Sequence, residues 1–497
     1  MVSGLRLIFK KKAGPIILNC CTGWQKTVFV RKQSFSNCRR KPGVYPSRNN
    51  QKNAFTEPGS YFLTKLFEKD PENVTKTPLY LVLKNNIPYR NLWIGTTGRS
   101  LGGWIYRITL ITYAVRTLPQ GVGIAWILLA SGLPAVILAP WTGPLIDRFD
   151  KRLLLIMVNL SLATLTLILF AIVHLRHVVV LDFIMIALLS SGSAFTNPAR
   201  TALTTQLVSR EHLPNMRGFE VVTSGVIMVM GALIGGFIVT LASVSTGFLL
   251  TALSYLWYAL WSVTLPQPAR ADHPDHRREK GLLAYLKDLR EGLRIAWVNP
   301  VAMLVLGLGI SWGIIGGSYY VLLSYVGSGA LTANGTGIGL FYALDGVGYM
   351  IGGGVAGQWF GTHDKTSRMA MIAAYLLQSV FLVFFARSSH LDMAIVWLLV
   401  MRIASGIVVT LDGLMLQRNV PQQYQGRIIS LHDGLYGLLM QGSYLIGGWG
   451  IMVLGAPMLG TILAALSAII GIVVVVIVLR MGLFRDTAID NRLNRQI

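Results

Sequence analysis

The chain has 497 residues, of which 53% are hydrophobic and only 13% charged, and its mean hydropathy is +0.55. This much apolar sequence exceeds what one soluble core can bury, so we expect a polytopic membrane protein. The net charge of +23 would favour nucleic-acid binding in a soluble protein, but here the basic residues lie between apolar runs and in the tails. Cytoplasmic loops and anionic lipid headgroups explain them better, so we expect no nucleic-acid partner.

Residues 1–88 are predicted to form a basic cytoplasmic tail. The first 56 residues contain twelve Lys or Arg, no Asp or Glu, and all three cysteines, which show no metal-ligand spacing. Such a segment either lies at an anionic membrane surface or is disordered, and it also has the composition of an organellar transit peptide. We therefore expect a cell (plasma or inner) membrane location, with an organelle envelope membrane as the alternative if the tail is a transit peptide.

From about residue 91 onward, twelve apolar windows follow one another. Each is long enough to cross a hydrocarbon layer of about 30 Å at 1.5 Å per residue. A charged segment, 267–299, divides them into two six-helix bundles, 89–266 and 300–480, and 481–497 forms a second cytoplasmic tail. The windows are 91–115, 120–142, 153–173, 178–197, 218–240, 245–265, 300–325, 334–358, 370–386, 392–415, 430–454 and 457–480.

The distribution of basic residues predicts the orientation of these helices. If the N-terminus is cytoplasmic, the tails and inner loops hold 38 of the 44 Lys and Arg, whereas the outer loops hold only Arg116, Arg176 and Arg387. The positive-inside rule therefore places both termini in the cytoplasm.

The two bundles repeat each other in sequence. The glycine-rich stretch Gly231–Gly236 in helix 5 corresponds to Gly442–Gly448 in helix 11, at an offset near 211. Two parallel six-helix repeats follow from this offset, with a substrate path between them.

A short charged turn from Gly143 to Arg152 interrupts two apolar windows. Gly143 and Pro144 end the incoming helix, and three basic residues hold the turn at the cytoplasmic side. Its G-x-x-x-D-R-x-x-[KR]-[KR] spacing resembles the signature loop between helices 2 and 3 of major facilitator superfamily transporters. The resemblance implies an all-α membrane protein with twelve transmembrane helices in two pseudo-symmetric six-helix bundles.

The similarity extends over about 89–480 and points to the drug:proton antiporter branch, which includes macrolide-efflux and enterobactin-exporter-like proteins. Besides the loop, it is carried by Tyr89–Gly95, Asn197–Arg200 and Gln425–Arg427. The chain departs from the antiporter motif G-P-x-x-G-G in helix 5, because Ala232 stands where the motif has proline.

The resemblance also implies a cytoplasmic gate. In that family the residues matching Asp147 and Arg148 help to lock the halves together in the outward-open state. We expect these residues and Arg152 to meet the start of helix 11 at Asp433, with Asp364 as the weaker counterpart in the second half.

Charged residues inside membrane helices are candidates for function because burying them in a bilayer costs several kcal/mol. Asp345 and Arg402 are predicted near the midplane, with Arg99 and Arg107 in the inner and outer halves of helix 1. A carboxylate that shuttles a proton needs a nearby cation to adjust its pKa, so Asp345 is the proton-coupling candidate; a purely structural ion pair is the alternative. Gly103 stands where relatives commonly carry an aspartate, so no proton role is transferred to it.

Trp312 and Tyr319 in helix 7 are the aromatic candidates for substrate contact, because their rings suit a flat or amphipathic molecule. The match of Gly98–Gly102 to G-x-S-x-G is attributed to chance, since a nucleophile elbow needs a strand-turn-helix. No nucleotide-binding or metal-binding motif occurs in the sequence, so we expect no enzyme activity, catalytic residue, metal or cofactor.

These observations predict a secondary transporter that works by alternating access and exports amphipathic small molecules against proton entry. Its partners would be a small-molecule substrate, the lipid bilayer and protons. A lipid or lysophospholipid transporter is one alternative, and a non-transporting scaffold or receptor with the same fold is another.

Overall fold

A computed structural model describes residues 86–119, 121–146, 149–175, 178–208, 213–266, 282–330, 334–361 and 363–484. Regular secondary structure within these ranges is entirely helical, which confirms the predicted all-α fold. The helices of the first half are α1 (Ile87–Thr117), α2 (Val122–Ile146), α3 (Lys151–Leu175), α4 (Val179–Ser193), α5 (Thr196–Leu207), α6 (Leu213–Leu241) and α7 (Val244–Val263).

The second half begins after an additional helix that lies within the predicted 267–299 loop. This helix carries apolar residues at Leu289, Gly292 and Ile295, a spacing of three that gives it one buried face. The second half of the charged segment 267–299 is therefore helical, which the sequence analysis did not predict. The helices here are α8 (Leu282–Val298), α9 (Pro300–Ala330), α10 (Asn334–Val355, continued by a π-helix at Ala356–Phe360), α11 (Asp364–Arg387), α12 (Leu391–Asn419) and α13 (Gln422–Arg480).

Ten helices in the described part of the chain are long and apolar enough to cross a membrane. One of them, within α13, contains Gly455 at φ 75° and Pro457, so it consists of two consecutive segments. α1 is not among the ten, since Arg99 and Arg107 make it less apolar, but its 31 residues would reach about 46 Å. This set of helices fits the predicted membrane fold.

The predicted window 178–197 corresponds to two helices rather than one, and the second of them ends ten residues beyond the window. A turn at Ala194–Phe195 separates α4 from α5, and α5 carries the chain on to Leu207. Pro198 is compatible with this break because proline is tolerated in the first turn of a helix.

The pseudo-symmetry of the halves is visible in two equivalent asparagine caps. Asn86 accepts a hydrogen bond from Tyr89 N at the start of α1, and its amide donates to Leu207 O at the end of α5, at 2.7 Å. Asn299 accepts from Val301 N at the start of α9, and its amide donates to the carbonyl oxygen of Asn419 at 2.8 Å. We call the side of the bundles that holds both caps the cap face, and the side that holds Thr117 and Gly121 the opposite face.

The predicted glycine repeat packs in matching ways in both halves. Gly235 of α6 lies against Ile105 of α1, and Gly447 of α13 lies against Ser318 of α9. Each contact joins the fifth spanning segment of a half to the first one, so the small residues allow close helix packing within each half.

The next residue of each glycine pair packs across the two halves at the opposite face. Gly236 of α6 meets Gly339 of α10, and Gly448 of α13 meets Val122 of α2. Close to the first of these contacts, the Thr336 hydroxyl donates to Thr240 Oγ at 3.0 Å. The opposite face is therefore closed by direct contacts between the halves.

Candidate functional site

A buried ion pair joins α10 and α12. Arg402 Nε lies 2.7 Å from Asp345 Oδ1, and the two side chains are 6% and 0% exposed. The Tyr319 hydroxyl of α9 donates a hydrogen bond of 2.5 Å to the same carboxylate oxygen. Asp345 Oδ2 accepts no hydrogen bond from any residue that the structure describes. One carboxylate oxygen thus holds both partners, and the other is available to a proton or a ligand.

A glycine of α10 allows this pair to form. A Cβ at Gly348 would lie 2.7 Å from the Cβ of Arg402 and 3.0 Å from the carbonyl oxygen of Leu399. A larger residue at this position would push α12 away and lengthen the ion pair.

Arg107 of α1 reaches across to tyrosines of the second half. Its guanidinium carbon lies 5.0 Å from the ring centroid of Tyr320 and 5.4 Å from that of Tyr342, with Trp104 at 5.8 Å. These are cation–π distances. Among the described residues no carboxylate lies within ion-pair distance of Arg107, and its buried Nε makes no hydrogen bond. The structure thus does not bring Arg107 into the ion pair with Asp345.

Arg99, two turns before Arg107 in α1, remains within the first half. Its Nε donates to Asn159 Oδ1 at 3.1 Å, and its guanidinium lies 5.5 Å from the ring of Tyr255 and 5.9 Å from that of Tyr258. Among the described residues it also has no carboxylate partner. α1 therefore holds two arginines whose guanidinium groups contact aromatic rings, and one of them, Arg99, also donates a hydrogen bond to an amide.

Both arginines line one cavity of about 450 Å³, which we call the cationic cavity. No Asp or Glu contributes to its described lining. The hydroxyls of Tyr106 and Ser190 also line it, and neither makes a hydrogen bond to a described residue. The cavity therefore offers donors and positive charge without a fixed counter-charge.

A second cavity of about 390 Å³ lies mainly in the second half, and we call it the aromatic cavity. Trp104, Trp312 and Tyr320 line it, together with Asp433, whose side chain is 71% exposed. The cavity therefore reaches the surface at Asp433. Trp312 thus borders space for a ligand, whereas Tyr319 is fully buried and contacts Asp345.

Comparison with known families decides the identity of the fold. The model of the Major Facilitator Superfamily matches residues 92–441, most of the chain. The chain belongs to the major facilitator superfamily. This membership indicates a multi-pass membrane transporter with a small-molecule substrate, and not an enzyme.

Individual superfamily relatives are distant. The chain is 24% identical to a lysophospholipid transporter, LplT, of Photorhabdus laumondii, over 66% of this chain and 79% of that protein. It is 20% identical to macrolide efflux protein A of Streptococcus pyogenes, over 71% and 87%. It is 23% identical to the uncharacterised transporter YfiS of Bacillus subtilis, of which it spans only about half, 53%.

Solved transporter structures share the fold. A bacterial homologue of the iron transporter ferroportin, in an inward-facing state, superimposes with a TM-score of 0.60 at 16% identity. The match covers 82% of this chain and all of that one.

Of the superfamily gate residues predicted from sequence, Asp147 and Arg148 lie outside the described residues. Arg152 donates from Nη2 to the carbonyl oxygen of Val263 at 2.5 Å, which is a contact within the first half. Asp364 lies 3.6 Å from Arg418 of α12, within the second half. Asp433 pairs with the neighbouring His432 at 3.0 Å. In this conformation, these contacts of the three described gate residues stay within one half.

The sequence analysis left out several residues that border the aromatic cavity. Asp412 of α12 lines this cavity, and its Oδ1 makes no hydrogen bond to a described residue. Arg402, Ser405, Val409 and Asp412 all line the cavity, at positions i, i+3, i+7 and i+10 of α12. That helical period was the signal available in the sequence.

Proposed function

We propose that this transporter works by alternating access and exports amphipathic small molecules against proton entry. The observation that carries the proposal is the buried pair of Asp345 and Arg402 beside a ligand-sized aromatic cavity. Export is supported by the similarity to macrolide efflux protein A and to the putative bacilysin exporter BacE of Bacillus subtilis, at 21% identity.

Alternating access is supported by the unequal packing of the two faces. Contacts such as that of Thr240 with Thr336 close the opposite face, while the aromatic cavity reaches the surface at Asp433. We assign the cap face to the cytoplasm, because the described helix ends that connect to the basic tails and loops lie there, which makes the conformation inward-facing. The outward-facing state would then close the cap face through Asp147, Arg148 and Arg152, against the region of Asp433, with Asp364 as a minor contributor.

Proton coupling is supported by the difference between the two carboxylate oxygens of Asp345, since Oδ1 contacts both Arg402 and Tyr319 and Oδ2 makes no hydrogen bond to a described residue. A proton on the unoccupied Oδ2 would cancel the negative charge that holds Arg402. Arg402 would then be free to turn toward the aromatic cavity, which it already lines. The ionised Asp345 carboxylate and a polar group of the substrate would thereby compete for one arginine, which couples proton binding to substrate exchange.

The proposal of an amphipathic substrate is supported by the position of the cationic cavity next to the aromatic cavity. Tyr320 borders the aromatic cavity and also faces Arg107 of the cationic cavity. A ligand with an apolar part and a polar part would therefore find suitable surroundings on both sides of this contact. The same observation favours a lysophospholipid as a second candidate, in keeping with the relative LplT.

The test is transport by purified protein in proteoliposomes with an acidic interior. Proton exit should drive accumulation of at least one compound in a panel of radiolabelled anionic, neutral and cationic amphiphiles that includes a lysophospholipid. A protonophore and protein-free liposomes are the controls. Uptake that is independent of the gradient for every compound would refute proton coupling, and no uptake of any amphiphile would refute the proposed substrate class.

A further inference from the structure

The cationic cavity carries more positive charge than its surroundings neutralise. Arg99 and Arg107 both line it, and no Asp or Glu of the described lining faces them. Asp345, a buried carboxylate of the second half, is already engaged by Arg402 and Tyr319. The cavity thus lacks an internal anion.

The aromatic rings around Arg107 compensate only part of this charge. The faces of Tyr320 and Tyr342 stabilise a cation, and the hydroxyls of Tyr342 and Tyr444 also interact with Arg107, but none of these neutral groups supplies a negative charge. Arg107 Nε is buried without a hydrogen bond to any described residue, and so are the hydroxyls of Tyr106 and Ser190. Buried donors without acceptors are costly, and an oxyanion would satisfy several of them at once.

We propose that the cationic cavity binds the anionic group of the substrate, so that the substrate class is organic anions with an apolar body, such as alkyl phosphates. The proposal rests on the proposed transport function and specifies its substrate. The phosphate or carboxylate contacts Arg107 and Arg99, and the apolar body passes Tyr320 into the aromatic cavity. Cationic amphiphiles are excluded because they would add charge to an uncompensated site.

One position in the cavity allows the charge to be tested without removing an arginine. Gly103 lies midway between Arg99 and Arg107, at i+4 and i−4 on α1, and it lines the cavity. A Cβ at Gly103 would meet nothing within 4 Å. Gly103→Asp would therefore supply the missing counter-charge, and Gly103→Asn is a control of the same size and shape.

The experiment measures binding by calorimetry, with the full chain in a neutral detergent. The ligands share one chain length: hexyl phosphate, hexyltrimethylammonium and hexyl glucoside, with inorganic phosphate as a fourth. We expect hexyl phosphate to bind at least 10-fold more tightly than the others. Gly103→Asp and Arg107→Gln should each weaken it about 10- to 100-fold, as expected for loss of a charge-assisted contact. Gly103→Asn, and Arg116→Gln at the exposed end of the same helix, should stay within about 3-fold.

Equal binding of the anionic and cationic ligands would overturn the proposal, as would wild-type affinity in folded Gly103→Asp. Inorganic phosphate binding as tightly as hexyl phosphate would overturn the requirement for an apolar body. If Arg107→Gln does not fold, Arg107→Lys keeps the charge and should retain anion preference. Lysophosphatidate binding more tightly than hexyl phosphate would assign a lipid source, and the reverse a soluble organic anion; both support the proposal.

The binding assay tests the anion site and the transport assay tests the antiport, and each can refute its own proposal without refuting the other. Anion-selective binding without gradient-driven transport would leave the anion site standing and refute the proposed antiport. Gradient-driven transport without charge preference would do the reverse.

Discussion

Replacing Asp345 by asparagine removes the carboxylate of the buried ion pair while keeping nearly the same shape. Loss of one partner from a buried pair costs about 3–5 kcal/mol, because the remaining charge is left without compensation. The rings of Tyr319 and Tyr349, each 5.5 Å from the guanidinium of Arg402, stabilise part of that charge. We therefore expect Asp345→Asn to lower the free energy of unfolding by about 3 kcal/mol.

A double-mutant cycle separates the ion pair from other effects of the substitution. The double variant Asp345→Asn/Arg402→Gln leaves no unpaired charge, so its cost should be smaller than the sum of the two single variants by about 2 kcal/mol. The assay is reversible unfolding by sodium dodecyl sulfate in mixed micelles. Asp364→Asn is the control, because the Asp364 side chain is 41% exposed and its contacts with Arg418 at 3.6 Å and Arg368 at 3.8 Å are long; pairs of an exposed carboxylate contribute less than about 1 kcal/mol.

The reasoning would be refuted if Asp345→Asn changed the unfolding free energy by less than about 1 kcal/mol, or if the cycle showed no coupling. Either result would mean that Asp345 is already neutral in the folded protein.

The remaining predictions concern the faces and the orientation of the helices. Gly236→Leu should force the opposite face apart and reduce transport, because its Cβ alone would lie 2.7 Å from a backbone oxygen of α10; Gly442→Leu, where nothing lies within 4 Å, is the control and should transport normally. Asp147→Asn should reduce transport while the protein still reaches the membrane, since a neutral amide loses charge-assisted bonds, and full activity would contradict the gate. Of cysteines at the exposed positions Phe149 and Ser389, an impermeant reagent outside intact cells should label only position 389, and labelling of position 149 would contradict the orientation.

Much of the architecture was predictable because the bilayer imposes the length and apolarity of its helices. The interruption of 178–197 was missed because hydropathy averages over a window and the turn at Ala194–Phe195 is itself apolar. The helix within 267–299 was missed because its sequence is charged rather than apolar. Its charged face masked the spacing of Leu289, Gly292 and Ile295.

The sequence indicates which residues are candidates for the site, but not which arginine pairs with Asp345. The cost of burying charge selects Asp345, Arg402 and Arg107 from sequence alone. Which arginine meets Asp345 depends on how α10 is rotated against α12, and that rotation is set by the close contact at Gly348. A hydropathy profile contains no information on helix rotation. The helical period of Arg402, Ser405, Val409 and Asp412 does, and it points to the same surface.

The most direct test of the account is gradient-driven accumulation by Asp345→Asn in proteoliposomes with an acidic interior, using the amphiphile with the highest wild-type uptake. Wild-type protein should accumulate this compound against its gradient and lose that ability when a protonophore is added. Asp345→Asn should fail to accumulate it while still exchanging it downhill, because the substrate cavities remain but the proton-binding carboxylate does not. Retention of the response to the pH gradient by Asp345→Asn would contradict the account and make the ion pair with Arg402 purely structural.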